Sequence, residues 1–230
     1  MAINVNTVYR TVLLILNKEQ RGYMTPDEFN KIASQVQLEI FRSYVDDYNQ
    51  LSRTPQPEAD YADRISLLQE KISIFEKTVT STISGPSPIA LPTDLYKIGS
   101  IAHEGTNELQ KIQKSELYTL NQSPLTAPTI KHPVYYIEGN TYVCIPLTSG
   151  TLTTNYIKTP ADVVWNFTIP SGQNYYEYSS SGSTDFEIHV SEQTEVILKI
   201  LLYAGVVIKD PSIVQAAAAQ SQKQEINQKS

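Results

Sequence analysis

The sequence predicts an α+β fold: an N-terminal helical bundle, a small central antiparallel β-sandwich or barrel with a protruding hairpin, and C-terminal helices that pack back on the bundle. Three observations carry this reading. Apolar residues recur at spacings of three and four through the first third of the chain, as on an amphipathic helix. The breaker cluster Ser84-Gly85-Pro86-Ser87-Pro88 then gives way to short β-branched and aromatic runs separated by turns. A long apolar stretch with helix-start signals returns near residue 191. The corresponding regions are 1–84, 85–190 and 191–230.

In the first helix Val5, Val8, Val12 and Ile15 form one stripe, and Gly22 interrupts the pattern. Thr25-Pro26-Asp27-Glu28 starts a second helix, with Thr25 as N-cap, Pro26 at the first helical position and Glu28 closing a capping box. Phe29, Ile32, Val36, Ile40, Tyr44, Tyr48 and Leu51 line one face of it, and Pro55 and Pro57 end it by removing N–H donors. A third helix is expected from about residue 58 to 80, where Ile65, Leu68, Ile72, Phe75 and Val79 have the 3-4-3-4 spacing of a short coiled-coil-like seam.

Beyond the breaker cluster, strands are expected at 89–91, 95–103, 133–137, 142–145 and 151–158, with a short helix at 114–121. Glu138-Gly139-Asn140 reads as a tight hairpin turn, because Gly and Asn tolerate positive φ. Residues 160–184 read as an extended hairpin projecting from the sheet, with Trp165, Phe167, Tyr175, Tyr176 and Tyr178 flanking Pro170-Ser171-Gly172. An aromatic ladder that merely stiffens an exposed hairpin is one account. A contact arm that buries these rings against a neighbour is the other, and the density of the run favours it. Ser191 is the expected N-cap of a helix made apolar by Val196, Ile197, Ile200, Leu201, Val207 and Ile208, with Glu192 and Glu195 complementing its dipole. Asp210-Pro211 starts a last helix, and Pro211, Ile213 and Val214 join the contact candidates.

Composition excludes several functional classes. The chain has 230 residues, a net charge of −6 and 18% charged residues, with 15 tyrosines among a polar remainder of Ser, Thr, Asn and Gln. A nucleic-acid binder needs a Lys/Arg stripe to neutralise phosphates, and none is present. One cysteine, Cys144, rules out an intrachain disulfide or a cysteine-based zinc site and suggests assembly inside a cell. A basic region followed by an apolar core is missing at the start, so no signal peptide is expected. The apolar stretch 196–208 is broken by Lys199 and falls short of the about 20 residues a membrane span requires.

No catalytic motif is found. Asp46 and Asp47 diverge by about 100° on a helix and do not converge on a substrate. Cys144, between Val143 and Ile145, reads as a buried inert thiol. Glu187, His189, Glu192 and Glu195 come nearest to a metal set, but surface charge and helix capping explain them more simply. Neither a cofactor nor a metal is expected, and the chain reads as structural rather than enzymatic.

Several phrases of the sequence are similar to a known family. Leu91-Pro92-Thr93-Asp94-Leu95, Tyr135-Tyr136-Ile137-Glu138-Gly139-Asn140 and Thr153–Pro160 with Tyr156 occur in an order that resembles the head-to-tail connector (tail adaptor) proteins of short-tailed phages. Asp185-Phe186-Glu187-Ile188, leading into the apolar helix and Lys209-Asp210-Pro211, resembles the crAss-like phage branch in particular. The resemblance implies a virion protein, assembled in the host cytoplasm, that forms a closed ring of about twelve copies below the portal. Its expected partners are further copies of itself, the portal protein and neighbouring connector or tail proteins. DNA would pass through the channel without sequence-specific binding, and no membrane is involved. The alternatives are another phage structural role (tail tube, fibre docking or capsid auxiliary) and, behind these, an enzyme or DNA-processing factor.

Overall fold

The computed structural model describes residues 2–18, 23–53, 59–85, 88–172 and 175–207, together with Ala219. These contain both helices and antiparallel sheet, and the protein is α+β. They form two compact units, one drawn from Met1–Ile74 with Pro160–Ser230 and the other from Phe75–Thr159.

The first unit is built on helices α1 (Val5–Lys18), α2 (Pro26–Arg53), α3 (Ala59–Ser73) and α5 (Gln193–Val207). The capping box at the start of α2 forms: Thr25 N and Oγ1 donate to Glu28 Oε2 at 2.9 and 2.8 Å, and Glu28 N donates to Thr25 Oγ1 at 3.4 Å. Val8, Val12 and Leu16 of α1, Phe29, Val36, Ile40 and Phe41 of α2, and Val196, Ile200 and Ala204 of α5 make one buried core. Each fully buried large apolar side chain there contributes about 1.5–3 kcal/mol. The expected docking of the 191–209 stretch on the N-terminal helices holds for α5 through the buried Val196, Ile200, Leu201 and Ala204. Its start differs in detail. A 3₁₀ turn (Val190–Glu192) precedes α5, and His189 rather than Ser191 caps that turn, its ring accepting from Ser191 N.

The second unit holds two four-stranded sheets. One has the order β1 (Glu76–Ser84), β8 (Ser149–Lys158), β3 (Leu95–His103), β4 (Asn107–Glu108); the other has β2 (Ile89–Ala90), β7 (Thr141–Ile145), β6 (Val134–Glu138), β5 (Gln110–Lys111). All pairs are antiparallel except β5 with β6. Ile83, Ile101 and Leu152 from the first sheet meet Tyr135, Tyr142 and Cys144 from the second in a shared core. Helix α4 (Lys114–Leu120) lies between β5 and β6 in the chain, where a short helix was expected. Gly139, at φ 59°, makes the tight turn that joins β6 to β7, with Glu138 opposite Thr141.

Two expectations are overturned. The third helix stops at Ser73, and the residues up to Ser84 form β1. Thr78, Val79, Thr80, Thr82 and Ile83 are β-branched and stiff at χ1, and nine consecutive pairings with β8 give their backbone a complete ladder. The spacing of Phe75 and Val79 behind Ile72 is therefore a coincidence of two patterns. The 160–184 hairpin, in turn, belongs to the helical unit rather than projecting from the sheet. The chain changes unit at Ile74/Phe75, ahead of the breaker cluster, because β1 already belongs to the sheet.

Candidate interaction surface

The hairpin consists of β9 (Val164–Thr168) and β10 (Glu177–Thr184), paired at Phe167–Tyr178 and Asn166–Ser179 with an irregularity before Thr184. A row of polar side chains on α2 holds its leading edge. Trp165 N donates to Asn30 Oδ1 at 2.7 Å, and Asn30 Nδ2 donates back to Trp165 O at 3.3 Å. One turn on, Val163 N donates to Ser34 Oγ at 3.0 Å, and Ser34 Oγ donates to Val163 O at 3.4 Å. Beyond it Gln37 Nε2 donates to Ala161 O at 2.6 Å, while Gln37 Oε1 accepts from Glu187 N at 2.8 Å.

Residues 30, 34 and 37 share one helix face, and residues 165, 163 and 161 alternate along an extended chain. The seven steps from residue 30 to 37 on the helix rise about 10.5 Å and the four steps from 161 to 165 on the extended chain about 13 Å, close enough for flexible amides to match them. Three helix side chains thus do for this edge what a neighbouring strand would do. Gln37 is almost fully buried, and both ends of its amide are satisfied.

This clamp fixes the aromatic cluster. Trp165 is 4% exposed; its Nε1 donates to Asn6 Oδ1 at 3.2 Å, and its ring lies 4.3 Å from Tyr9, 6.0 Å from Phe167 and 5.8 Å from Tyr178. Tyr9 Oη donates to Met24 O at 3.1 Å. Phe167 packs edge-on to Tyr176 at 4.7 Å. Beside these rings lies a groove of about 430 Å³ bounded by Tyr9, Tyr23, Trp165, Tyr175, Tyr176 and Tyr178, with Asn6, Arg10 and Glu177 among its polar groups.

The five hairpin residues singled out in the sequence are therefore brought together but divide by role. Trp165 is an internal anchor, Phe167 and Tyr178 are half-buried supports, and Tyr175 and Tyr176, at 53% and 39% exposure, are open to solvent. Pro211, Ile213 and Val214 lie outside the described residues. Tyr9, Tyr23 and Asn30 belong to the same surface and were missed. Only the position of Tyr9 on the polar shoulder of the α1 stripe hinted at it.

The remaining candidates resolve into packing. Burial pushes the Cys144 thiol up to about 12, as suits a core residue of β7. Among the described residues no group of three or more His, Cys, Asp or Glu could hold a metal. The Glu192 and Glu195 carboxylates are not surface charge as expected. Glu192 is 4% exposed and accepts from Lys71 Nζ at 2.6 Å, and Lys199 reaches Glu195 at 3.8 Å and Glu39 at 2.8 Å. Burial and a hydrogen bond to Glu192 push Glu195 up to about 7. Burial acts the same way on Glu192, but Lys71 outweighs it and holds that carboxyl below its ordinary value. Through Lys71 and Glu192, α3 is tied to the 3₁₀ turn that leads into α5.

The phrases that carry the family resemblance also meet in space. Tyr156 Oη donates to Asp94 Oδ1 at 2.9 Å, Lys77 pairs with Asp94 Oδ2 at 2.9 Å, and Leu91 N donates to Asn140 O at 3.0 Å. Asp94, Tyr156 and Asn140 thus join three separate phrases within the sheet unit. In the helical unit Asp185 Oδ1 accepts from Val5 N at 2.8 Å, and Phe186, fully buried, bridges to Ile3. Among the described residues no helix is long and apolar enough to cross a membrane. No protein-family model matches the chain, and no curated protein sequence matches it.

Proposed function

We propose that this protein is a non-enzymatic structural subunit of a phage head-to-tail connector, forming a ring below the portal that continues the DNA channel. The observation that carries the reading is the meeting of the family-like phrases: Asp94, Tyr156, Leu91 and Asn140 are joints of one sheet unit, as residues that serve architecture rather than chemistry would be. The exposed Tyr175 and Tyr176 on a clamped hairpin support it, since rigid tyrosines supply contact area at low entropic cost. The acidic balance suits a wall that DNA passes rather than grips.

In this reading the partners are further copies of the chain, the portal protein and the adjoining tail proteins, and the location is the virion. Electron microscopy of purified protein, alone and with its portal, is the test. Rings coaxial with the portal are expected, and a monomer that never joins a portal would sink the proposal. A density elsewhere in the virion would favour a tail-tube, fibre-docking or capsid-auxiliary role instead.

A further inference from the structure

We propose that the outer edge of β1 (Glu76–Ser84) pairs with the same edge of a second copy of this chain, antiparallel about a two-fold axis at Thr80. Such a pair is isologous and closes on itself, unlike the head-to-tail contact that builds a ring. It therefore describes the chain before it enters a ring and goes beyond the connector reading.

The hydrogen bonds at the two ends of β1 fix which of its backbone groups face away from β8. Lys158 N donates to Phe75 O at 2.9 Å and Gly85 N donates to Thr148 O at 2.8 Å, so Phe75 and Gly85 both bond towards β8. Between them the register runs from Glu76↔Ile157 to Ser84↔Ser149 without a shift. Residues of an antiparallel pair alternate between bonded and unbonded positions. The odd-numbered residues therefore bond to β8, and Glu76, Thr78, Thr80, Thr82 and Ser84 turn their N–H and C=O outward. β1 is the edge of its sheet, all five residues are exposed, and among the described residues nothing bonds to these outward groups.

A long regular edge is a template for another strand unless proline, a bulge or an unpaired charge blunts it. β1 has no proline and no bulge, and its one lysine, Lys77, is paired with Asp94. β3, across the same sheet, is no match for it, because register shifts beside Tyr96 and Gly99 break its course and β4 covers its end. The edge of β1 is instead complementary to itself. Centred on Thr80, the register sets Glu76 against Ser84, Thr78 against Thr82 and Thr80 against its own copy, and every outward N–H meets an outward C=O. The exposed face then carries a row of threonine pairs, which are favourable across strands, and no like charges meet. A slip of one residue sets outward groups against inward ones, and a slip of two leaves an end of each strand unpaired.

Three measurements on the full-length chain test this. Sedimentation equilibrium is expected to show a reversible monomer–dimer association. Thr80→Lys sets two like charges against each other at the two-fold axis and is expected to weaken that association at least about tenfold, whereas Thr80→Ser leaves it unchanged. Cysteine cross-linking reads the register. Thr80→Cys lies about 5.5 Å from its copy between Cα atoms, within disulfide reach, and is expected to give a linked dimer under mild oxidation. Thr78→Cys alone, about 13 Å from its copy, is not, but Thr78→Cys mixed with Thr82→Cys is. Cys144 is buried and does not compete. Amide hydrogen exchange reads the hydrogen bonds themselves. The Thr78, Thr80 and Thr82 amides should be protected at dimer-forming concentrations and exposed in the Thr80→Lys protein, while Val79 and Ser81 stay protected in both. A chain that remains monomeric at millimolar concentration, or that associates only into rings, overturns the inference. So do cross-links that ignore this register, or a dimer in which the Thr78, Thr80 and Thr82 amides exchange freely. Because Thr78, Thr80 and Thr82 are exposed, thermal unfolding of each variant, measured as monomer, should match the parent.

Discussion

At the scale of single residues, two positions carry more of the structure than their chemistry suggests. Gly150 sits at φ 112°, and a Cβ there would fall on the His103 ring, whose Nε2 lies 3.1 Å from Ser149 O. Gly150→Ala combines a backbone conformation that L side chains avoid with a clash in the sheet core. A loss of about 2–4 kcal/mol is expected in chemical denaturation. Asn30 is the other. Replacing it with Ala leaves both the N–H and the C=O of Trp165 without their partner, which costs about 2–3 kcal/mol and should alter Trp165 emission in the folded state. Neither role could be read from sequence. A helix-surface asparagine becomes structural only when a distant strand is laid against it.

At the scale of elements, α2 and the start of α5 show how local rules and tertiary context divide the work. The capping box at Thr25 and Glu28 formed as written in the sequence, because all its atoms come from one turn. The carboxylates Glu192 and Glu195 at the start of α5 did not stay on the surface, because Lys71 arrives from α3 and pairs with the buried Glu192. This cluster sets a pH dependence. The folded-state value for Glu195 stands at about 7, above its ordinary 4.5, so its stabilising contribution is complete below about pH 4.5 and is lost as pH rises through 7. Glu192 is shifted the other way, and its contribution is lost on acidification below its ordinary value. Unfolding free energy should therefore fall by about 2–3 kcal/mol from pH 4.5 to pH 7.5 on account of Glu195. Glu195→Gln should flatten that slope in denaturation curves taken across the range; an unchanged slope would show that the proton is held elsewhere.

At the scale of the whole molecule, the sheet unit is a continuous segment whose two ends meet. Lys158 N donates to Phe75 O at 2.9 Å, one residue inside the crossing to the helical unit. Such a segment, with its own core, behaves as an inserted domain. A fragment spanning residues 75–159 is expected to unfold cooperatively on its own, read by circular dichroism. Within it Asp94→Ala, which strands the buried Tyr156 hydroxyl, should lower stability by about 1–2 kcal/mol. The helical unit, assembled from both ends of the chain, has no continuous counterpart.

Sequence alone determined what depends on neighbours in the chain: the α+β class, the helices α1 and α2 with the capping box that starts α2, the β6–β7 turn at Gly139, and the span of β3. Tertiary structure decided the rest. It ended α3 at Ser73, because β8 offered residues 76–84 a full ladder that helix formation could not match. It drew the aromatic hairpin onto α2, because Asn30, Ser34 and Gln37 present hydrogen-bonding groups at the repeat an extended edge needs. It also sorted the aromatic residues into anchors and exposed surface. Periodicity records which side chains are apolar, whereas burial depends on which partner reaches them.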